Sequence, residues 1–217
     1  MPTCRLLLFL LLLGTATSAA EQPVFAPANV LLEPAKDPAW RELFAQLGQS
    51  RTRISHFEER RYFPFRAKPV ILQGEIRIVP GRGLSLSYGG AKPQMIIIDD
   101  KGVLMRNERG RERSMPDDDR ARAATSALAA VLRFDLAALE KQFVIHGSRE
   151  ADTWTLGFAP RDAALAGLMG TIAVKGRQAE LTRIDLVKSA DQHIEIIIQD
   201  SEADVIFPPE VLKRFFR

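Results

Sequence analysis

Three histidines, His56, His146 and His193, are the first residues to test for chemistry, and they stand singly in the sequence. A metal site announces itself by His or Cys ligands within a few residues of one another, and no such pair occurs. Each histidine therefore reads as a surface residue of a strand, and no metal is expected. The stretch "GRGLSLSYGG", residues 81–90, suggests a nucleophile or a phosphate loop. Neither Ser85 nor Ser87 sits in a Gly-x-Ser-x-Gly frame. Gly81 and Gly83 lack the third glycine of a dinucleotide turn and precede a strand, not a helix. The acidic clusters Asp99–Asp100 and Asp117–Asp119 could act as metal or acid–base carboxylates. The first falls in a hairpin turn and the second where a helix N-terminus favours negative charge, so both read as structural. No nucleophile–base pair can be assembled. No catalytic residue and no cofactor are expected, and the chain does not read as an enzyme.

The segment "RNERGRERS" sets Arg106, Arg109, Arg111 and Arg113 against two glutamates. Two readings stand level: a solvated hairpin tip, or a docking patch for an acidic partner whose association the charge would speed.

The elements that must carry these residues show two periods. "DPAWRELFAQLGQSRT" opens with Asp37 as N-cap and Pro38 at the first helical position, and places Trp40, Leu43, Phe44 and Leu47 on one stripe. From Ile54 the period is two: Ile54, His56 and Glu58 oppose Ser55, Phe57 and Glu59. "IVPGRG", "GGAKP" and "DDKG" supply turns between the strands that follow. The helical period returns in "DDDRARAATSALAAVLRF", ending near Phe134, and in "DLAALEKQF", capped by Asp135. Strands resume with "FVIHGS", "TWTLGFAP", "MGTIAVKG", "ELTRIDLVKS" and "QHIEIIIQDS", and "PPEVLKRFFR" reads as a short terminal helix. About ten antiparallel strands against three or four short helices predict an α+β chain whose sheet must curl. The expected architecture is an incomplete antiparallel β-barrel, a curved half-barrel, with the mid-chain helices as a lid over an apolar concavity.

The first twenty residues stand outside that fold. Arg5, the apolar run "LLLFLLLL" and the small residues "TSAA" make a secretory signal peptide, with cleavage expected near Ala20. An apolar run this short does not span a hydrocarbon layer of about 30 Å. Cys4, the one cysteine, precedes the run, so neither a lipid anchor nor a disulfide is expected after cleavage. Residues 21–36 read as a Pro-rich extended arm, and 37–217 as a single domain. The formal charge of +3 falls to about +2 without Arg5, too balanced for a nucleic-acid binder. A soluble periplasmic protein, monomeric, is the expectation.

What remains is apolar surface. One face of each strand is aliphatic or aromatic: Leu72, Ile76 and Ile78; Leu84 and Leu86; Val103 and Met105; Trp154, Leu156 and Phe158; Ile172 and Val174; Ile184 and Leu186; Ile194, Ile196 and Ile198. The cover predicted for it is an Ala-rich helix whose Leu128, Val131 and Leu132 form one stripe. That helix is expected to press onto Ile76, Leu86 and Met105, with Ala123, Ala127 and Ala130 keeping it slim. A wide apolar concavity under a light lid predicts a site for an apolar ligand, lined by these residues.

The order of elements resembles the LolA family of periplasmic carriers of outer-membrane lipoproteins, over nearly the whole chain after the leader. The matching landmarks are the first helix followed by "ISHFEE", then "GEIRIVP", "MIIIDDKGVLM", the mid-chain helices, "WTLGFAP" and "FPPE". The resemblance implies a half-barrel that shelters the acyl chains of a lipoprotein. It also implies collection from an inner-membrane ATP-driven complex and delivery to an outer-membrane acceptor. The family's usual basic residue and its aromatic stretch after "GEIRI" are replaced by Val79 and by Gly83-Leu84-Ser85. A differently latched lid and a divergent branch follow from that difference. The cargo stays open between lipoproteins in general and one special glycolipid, pigment or acylated metabolite. A rival reading is a periplasmic adaptor that binds only protein, through the Arg-rich tip and the pairs Arg51–Arg53 and Arg60–Arg61.

Overall fold

A computed structural model describes residues 29, 31, 33–49, 51–91, 93–114 and 118–217. The expected leader, most of the arm and Asp117 lie outside the described residues. Helix α1 (Pro38–Leu47) starts where Asp37 accepts hydrogen bonds from Ala39 N and Trp40 N. Then come β1 (Arg53–Arg61), β2 (Val70–Val79), β3 (Gly83–Tyr88), β4 (Gln94–Asp99), β5 (Gly102–Asn107) and β6 (Glu112–Ser114). Two helices follow, α2 (Asp119–Arg133), capped by Asp118, and α3 (Leu136–Gln142), capped by Asp135. The second half holds β7 (Phe143–Glu150), β8 (Thr153–Pro160), α4 (Ala163–Met169), β9 (Thr171–Arg177), β10 (Glu180–Ser189), β11 (Gln192–Ala203) and α5 (Pro209–Phe215).

All eleven strands form one curved antiparallel sheet in the order β6-β5-β4-β3-β2-β1-β11-β10-β9-β8-β7. It does not close, because β6 and β7 are its edges and do not pair. Each edge is blunted. Strand β6 has three residues, all exposed and two of them charged. Beside β7 the chain before α1 runs extended, with Leu31 N donating to Ile145 O at 2.8 Å and Gly147 N to Asn29 O at 2.9 Å. Between the edges the chain crosses the inner face as α2 and α3. The predicted half-barrel with a helical lid is the architecture seen.

Several details differ from expectation. Strand β6 is additional, formed inside the charged segment because Arg106 pairs in register with Glu112. Helix α4 is also additional, begun by Asp162, whose side chain accepts from Leu165 N at 2.7 Å. Helix α1 shares the cover of the inner face: Trp40, Leu43 and Phe44 are buried in the same cluster as Ala127, Ala130, Val131 and Phe134 of α2. Its close approach depends on Gly147, where a Cβ would stand 2.8 Å from Trp40 Cζ2.

The outer face has a smaller core of its own. Ile97, Leu104 and Phe216, beyond the end of α5, are each under 5% exposed. Arg217 clamps the same end, with Nε 2.5 Å and Nη2 2.6 Å from the two Asp99 carboxylate oxygens. Asp99 is thus more than a turn residue, although its use is structural as expected. Burial alone would raise its carboxyl, but the Arg217 guanidinium and the Lys101 N–H outweigh that and hold it below the usual range. No helix among the described residues is long and apolar enough to cross a membrane.

Candidate functional site

Cross-strand register fixes which side chains share the inner face. Ser55, Phe57 and Glu59 lie opposite Ile76, Gly74 and Leu72 across β1–β2. Leu84, Leu86 and Tyr88 pair with Ile98, Ile96 and Gln94 across β3–β4, and Ile98 and Ile96 with Val103 and Met105 on β5. In the other half, Ile196 and Ile194 pair with Ile184 and Leu186, these with Val174 and Ile172, and those with Leu156 and Phe158. All the strand residues predicted to line the concavity therefore point to one face.

They do not share one environment. Trp154, Leu156 and Phe158 are at most 3% exposed and lie deep in the packed half. There Phe134 meets Phe44 at 6.4 Å and Trp154 at 6.3 Å, and Phe143 meets Phe158 at 5.9 Å between ring centroids. Leu72, Leu86, Leu128 and Leu186 are partly buried against the core, and Ile196 is buried in it. Ile76, Ile78, Leu84, Val131, Leu132 and Ile184 instead line a cavity of ≈ 140 Å³, with Leu47, Phe134, Val174, Leu181 and Ile198. It lies between the C-terminal ends of α1 and α2 and the inner face of the sheet.

Of the strands, helix α2 comes closest to β4 and β5. Two clefts flank it, one of ≈ 350 Å³ shared by Ile78, Leu84, Ile98 and Leu132, another of ≈ 680 Å³ shared by Val103, Thr125, Ala129 and Ala130. Leu86 and Met105 line neither cleft nor the cavity. The expected contact with Leu86 and Met105 is therefore not where the cavity and clefts form. Within α2, Ala127, Ala130 and Val131 are the most buried residues, and Leu128 and Leu132 are half-buried.

The inner face also carries a polar group that sequence reading missed. Glu59, 2% exposed, accepts a hydrogen bond from Tyr88 Oη at 2.6 Å and is paired with Arg61. Burial and the adjacent Glu59 charge push the Tyr88 hydroxyl well above the usual phenol range. The signal was present: alternation in "SHFEE" puts Glu59 on the Phe57 face. At the other end of β1, Ser55 Oγ lies 2.7 Å from Ser201 Oγ, and both serines line the cavity with Arg51, Arg53 and Arg133.

The residues considered for chemistry do not converge. His56 is exposed on the outer face, between Asp200 at 2.7 Å and Glu75 at 3.3 Å, and the Asp200 hydrogen bond raises its imidazole. His193 corrects the expectation of a surface residue: it is 3% exposed, stacked on Tyr62 at 4.1 Å, with Nδ1 2.9 Å from Ala190 O. Among the described residues no group of His, Cys, Asp and Glu could hold a metal. The four tip arginines do not form one patch. Arg106 is tied to Glu112 at 2.7 Å and to Arg214 O, whereas Arg113 stands opposite Met105, whose side the strand pleat sets against that of Arg106. Arg109 and Arg111 are exposed. A larger hollow of ≈ 850 Å³ lies beside α5, and its lining is mixed, with His56, Glu75, Arg106, Asp200 and Phe215.

A family profile described as outer membrane lipoprotein carrier protein LolA-like matches residues 41–204. No curated protein is a significant match. Among solved structures, a LolA superfamily protein from Nitrosomonas europaea is similar at 8% identity over 79% of this chain and 96% of that one, with a TM-score of 0.42. A DUF1329 family protein from Desulfovibrio piger is similar at 9% identity over 77% and 92% of the two chains, TM-score 0.41. LprF from Mycobacterium bovis is similar at 13% identity over 79% and 98%, TM-score 0.35.

Proposed function

The chain belongs to the LolA-like family of outer membrane lipoprotein carrier proteins, and from that premise we propose that it shelters the acyl chains of lipoproteins, or of a related lipid, in the periplasm. It collects this cargo at the inner membrane and releases it at the outer one, without catalysing a reaction. The observation that carries the reading is the gap under α2. A cavity with an aliphatic inner wall and two clefts border one helix, which meets the core partly through the small side chains of Ala127 and Ala130.

The energetics suit a carrier. Each sheltered methylene contributes about 0.8 kcal/mol, so half of one long chain supplies several kcal/mol with no directional polar contact. The cavity of ≈ 140 Å³ is close in size to the roughly 150 Å³ apolar cavity that holds one benzene. It admits the end of a tail, and longer chains require α2 to lift. Because β6 and β7 do not pair with each other, that movement breaks no strand pairing. The test is extraction of the mature protein followed by mass spectrometry of bound lipid, with displacement of a fluorescent fatty acid. Absence of any acylated ligand in both assays overturns the proposal.

One observation favours a protein-binding adaptor instead: much of the inner face is filled by α1 and α2 rather than hollow. Photo-reactive groups at Arg109 and at Leu132 separate the two readings in cells. Cross-links to protein at Arg109 alone favour the adaptor, and cross-links to acylated cargo at Leu132 favour the carrier.

A further inference from the structure

The opening of the inner cavity carries a charge pattern that chain burial alone does not need. Arg51, Arg53 and Arg133 line the ≈ 140 Å³ cavity, and no aspartate or glutamate does. Arg51 is engaged at the periphery, 3.4 Å from Asp204 Oδ2. Arg53 reaches only Ser201 Oγ, at 3.5 Å, and among the described residues neither Arg53 nor Arg133 has a carboxylate partner. Helix α2 accounts for part of this, since Arg133 in its last turn meets the negative end of the helix dipole. The dipole does not account for Arg53, which comes from β1. The Ser55 and Ser201 hydroxyls lie on the same wall and offer further hydrogen bonds.

We propose that this cavity and its arginines form a site for a single-chain amphiphile with an anionic head, a carboxylate or a phosphate. The tail end enters among Ile76, Leu132, Ile184 and Ile198, and the head meets Arg53 and Arg133. Guanidinium groups suit such heads because their planar N–H pairs match two oxygens at once. With no carboxylate lining this cavity, an anionic head would supply the counter-charge for both. Size suits one chain, since the cavity matches a single ring-sized apolar group. The inference rests on the carrier reading only in that the cavity takes an alkyl chain.

Calorimetry on the mature chain, below micellar concentrations, tests it with four probes: dodecyl phosphate, dodecanoate, dodecyl maltoside and inorganic phosphate. Both anionic amphiphiles bind about tenfold tighter than the neutral maltoside, equivalent to about 1.4 kcal/mol. The preference weakens with added salt. Arg53→Gln and Arg133→Gln each bring the anionic-to-maltoside affinity ratio close to one, while Arg53→Lys retains part of the preference. Equal affinity for charged and neutral heads, or unchanged preference in both glutamine variants, overturns the inference and leaves the carrier reading standing. Inorganic phosphate binding as tightly as dodecyl phosphate overturns it in favour of a free-anion site. No binding of any twelve-carbon probe overturns the carrier reading, and this inference with it.

Discussion

Leu132→Glu separates the lid from the core. Leu132 is half-buried and borders both the cavity and the smaller cleft. Full burial of a leucine is worth about 2 kcal/mol, so its loss here costs about 1 kcal/mol of stability. A domain stabilised by roughly 5–15 kcal/mol stays folded after that loss. Cargo is affected far more. Six methylenes held under the lid contribute about 5 kcal/mol, and an ionised carboxylate on the same wall costs several kcal/mol unless the lid stays open. Retention should fall by at least about a hundredfold, or about 2.7 kcal/mol. Circular dichroism melting and mass spectrometry of co-purified lipid on one preparation measure both effects. Val131→Glu is the contrast, because Val131 is 1% exposed and one residue away. That variant should unfold. If Leu132→Glu unfolds as well, Leu132 belongs to the core and the lid is misplaced. If it folds and keeps its lipid, the lid does not shelter the ligand.

Other consequences follow from the outer face. Phe216→Ala should cost about 3 kcal/mol in a denaturant titration, since Phe216 is 2% exposed, and should leave lipid retention intact. Asp99→Asn breaks the Arg217 clamp and should cost about 2 kcal/mol at neutral pH. The Asp99 carboxyl is held below its ordinary value, so its contribution is present above the unfolded carboxylate range and lost as pH falls through the folded value. The difference between Asp99→Asn and the parent should therefore vanish in acid melts. His56 should titrate above 6.5 by NMR, and Asp200→Asn should return it towards that value. Its stabilising share is present below the ordinary imidazole value and is lost as pH rises through the folded one.

Much of this architecture could be read from local patterns, because the signals were local. The Asp37–Pro38 start, the Asp118 and Asp135 caps and the alternation of β2 each involve neighbours in sequence. What could not be read was what covers each face. Alternation says that Leu156 and Leu84 point the same way, but not that Phe134 fills the space over the Trp154 end while alanines leave it open near Leu84. The outer core had a trace in sequence: "MIII" in β4 is apolar on both faces, which a strand with one wet side does not need. His193 escaped because its cover, Tyr62, follows β1, which is far away in sequence and meets β11 only through the sheet pairing. Glu59 escaped because a buried carboxylate depends on partners, and both Arg61 and Tyr88 had to be placed first.

The two faces divide the work between holding shape and changing it. On the outer face polar side chains link the strands. Arg77 meets Glu75 on its own strand at 2.5 Å and donates to Ser87 on β3 at 2.9 Å, and Arg183 meets the fully buried Asp185 on its own strand at 2.7 Å and Glu195 on β11 at 2.8 Å. Removing one partner from such a buried set leaves an uncompensated charge, so these links resist partial opening. Arg77 also stacks on Phe215 at 3.7 Å, which joins α5 to the same ladder. The inner face has the opposite character. Helix α2 is anchored by Ala127, Ala130, Val131 and Phe134, whereas its first two turns hold no buried residue among those described. Phe134 ends the helix at φ 49°, a left-handed conformation that a bulky side chain adopts only when its surroundings enforce it. Its ring supplies that enforcement by packing edge-on against both Phe44 and Trp154. A lid fixed at its C-terminal end and loose at the other can swing about Phe134 without disturbing the sheet. Arg53, Arg133 and the cavity they line lie at that fixed end, so a head and tail end bound there would be held where the lid moves least.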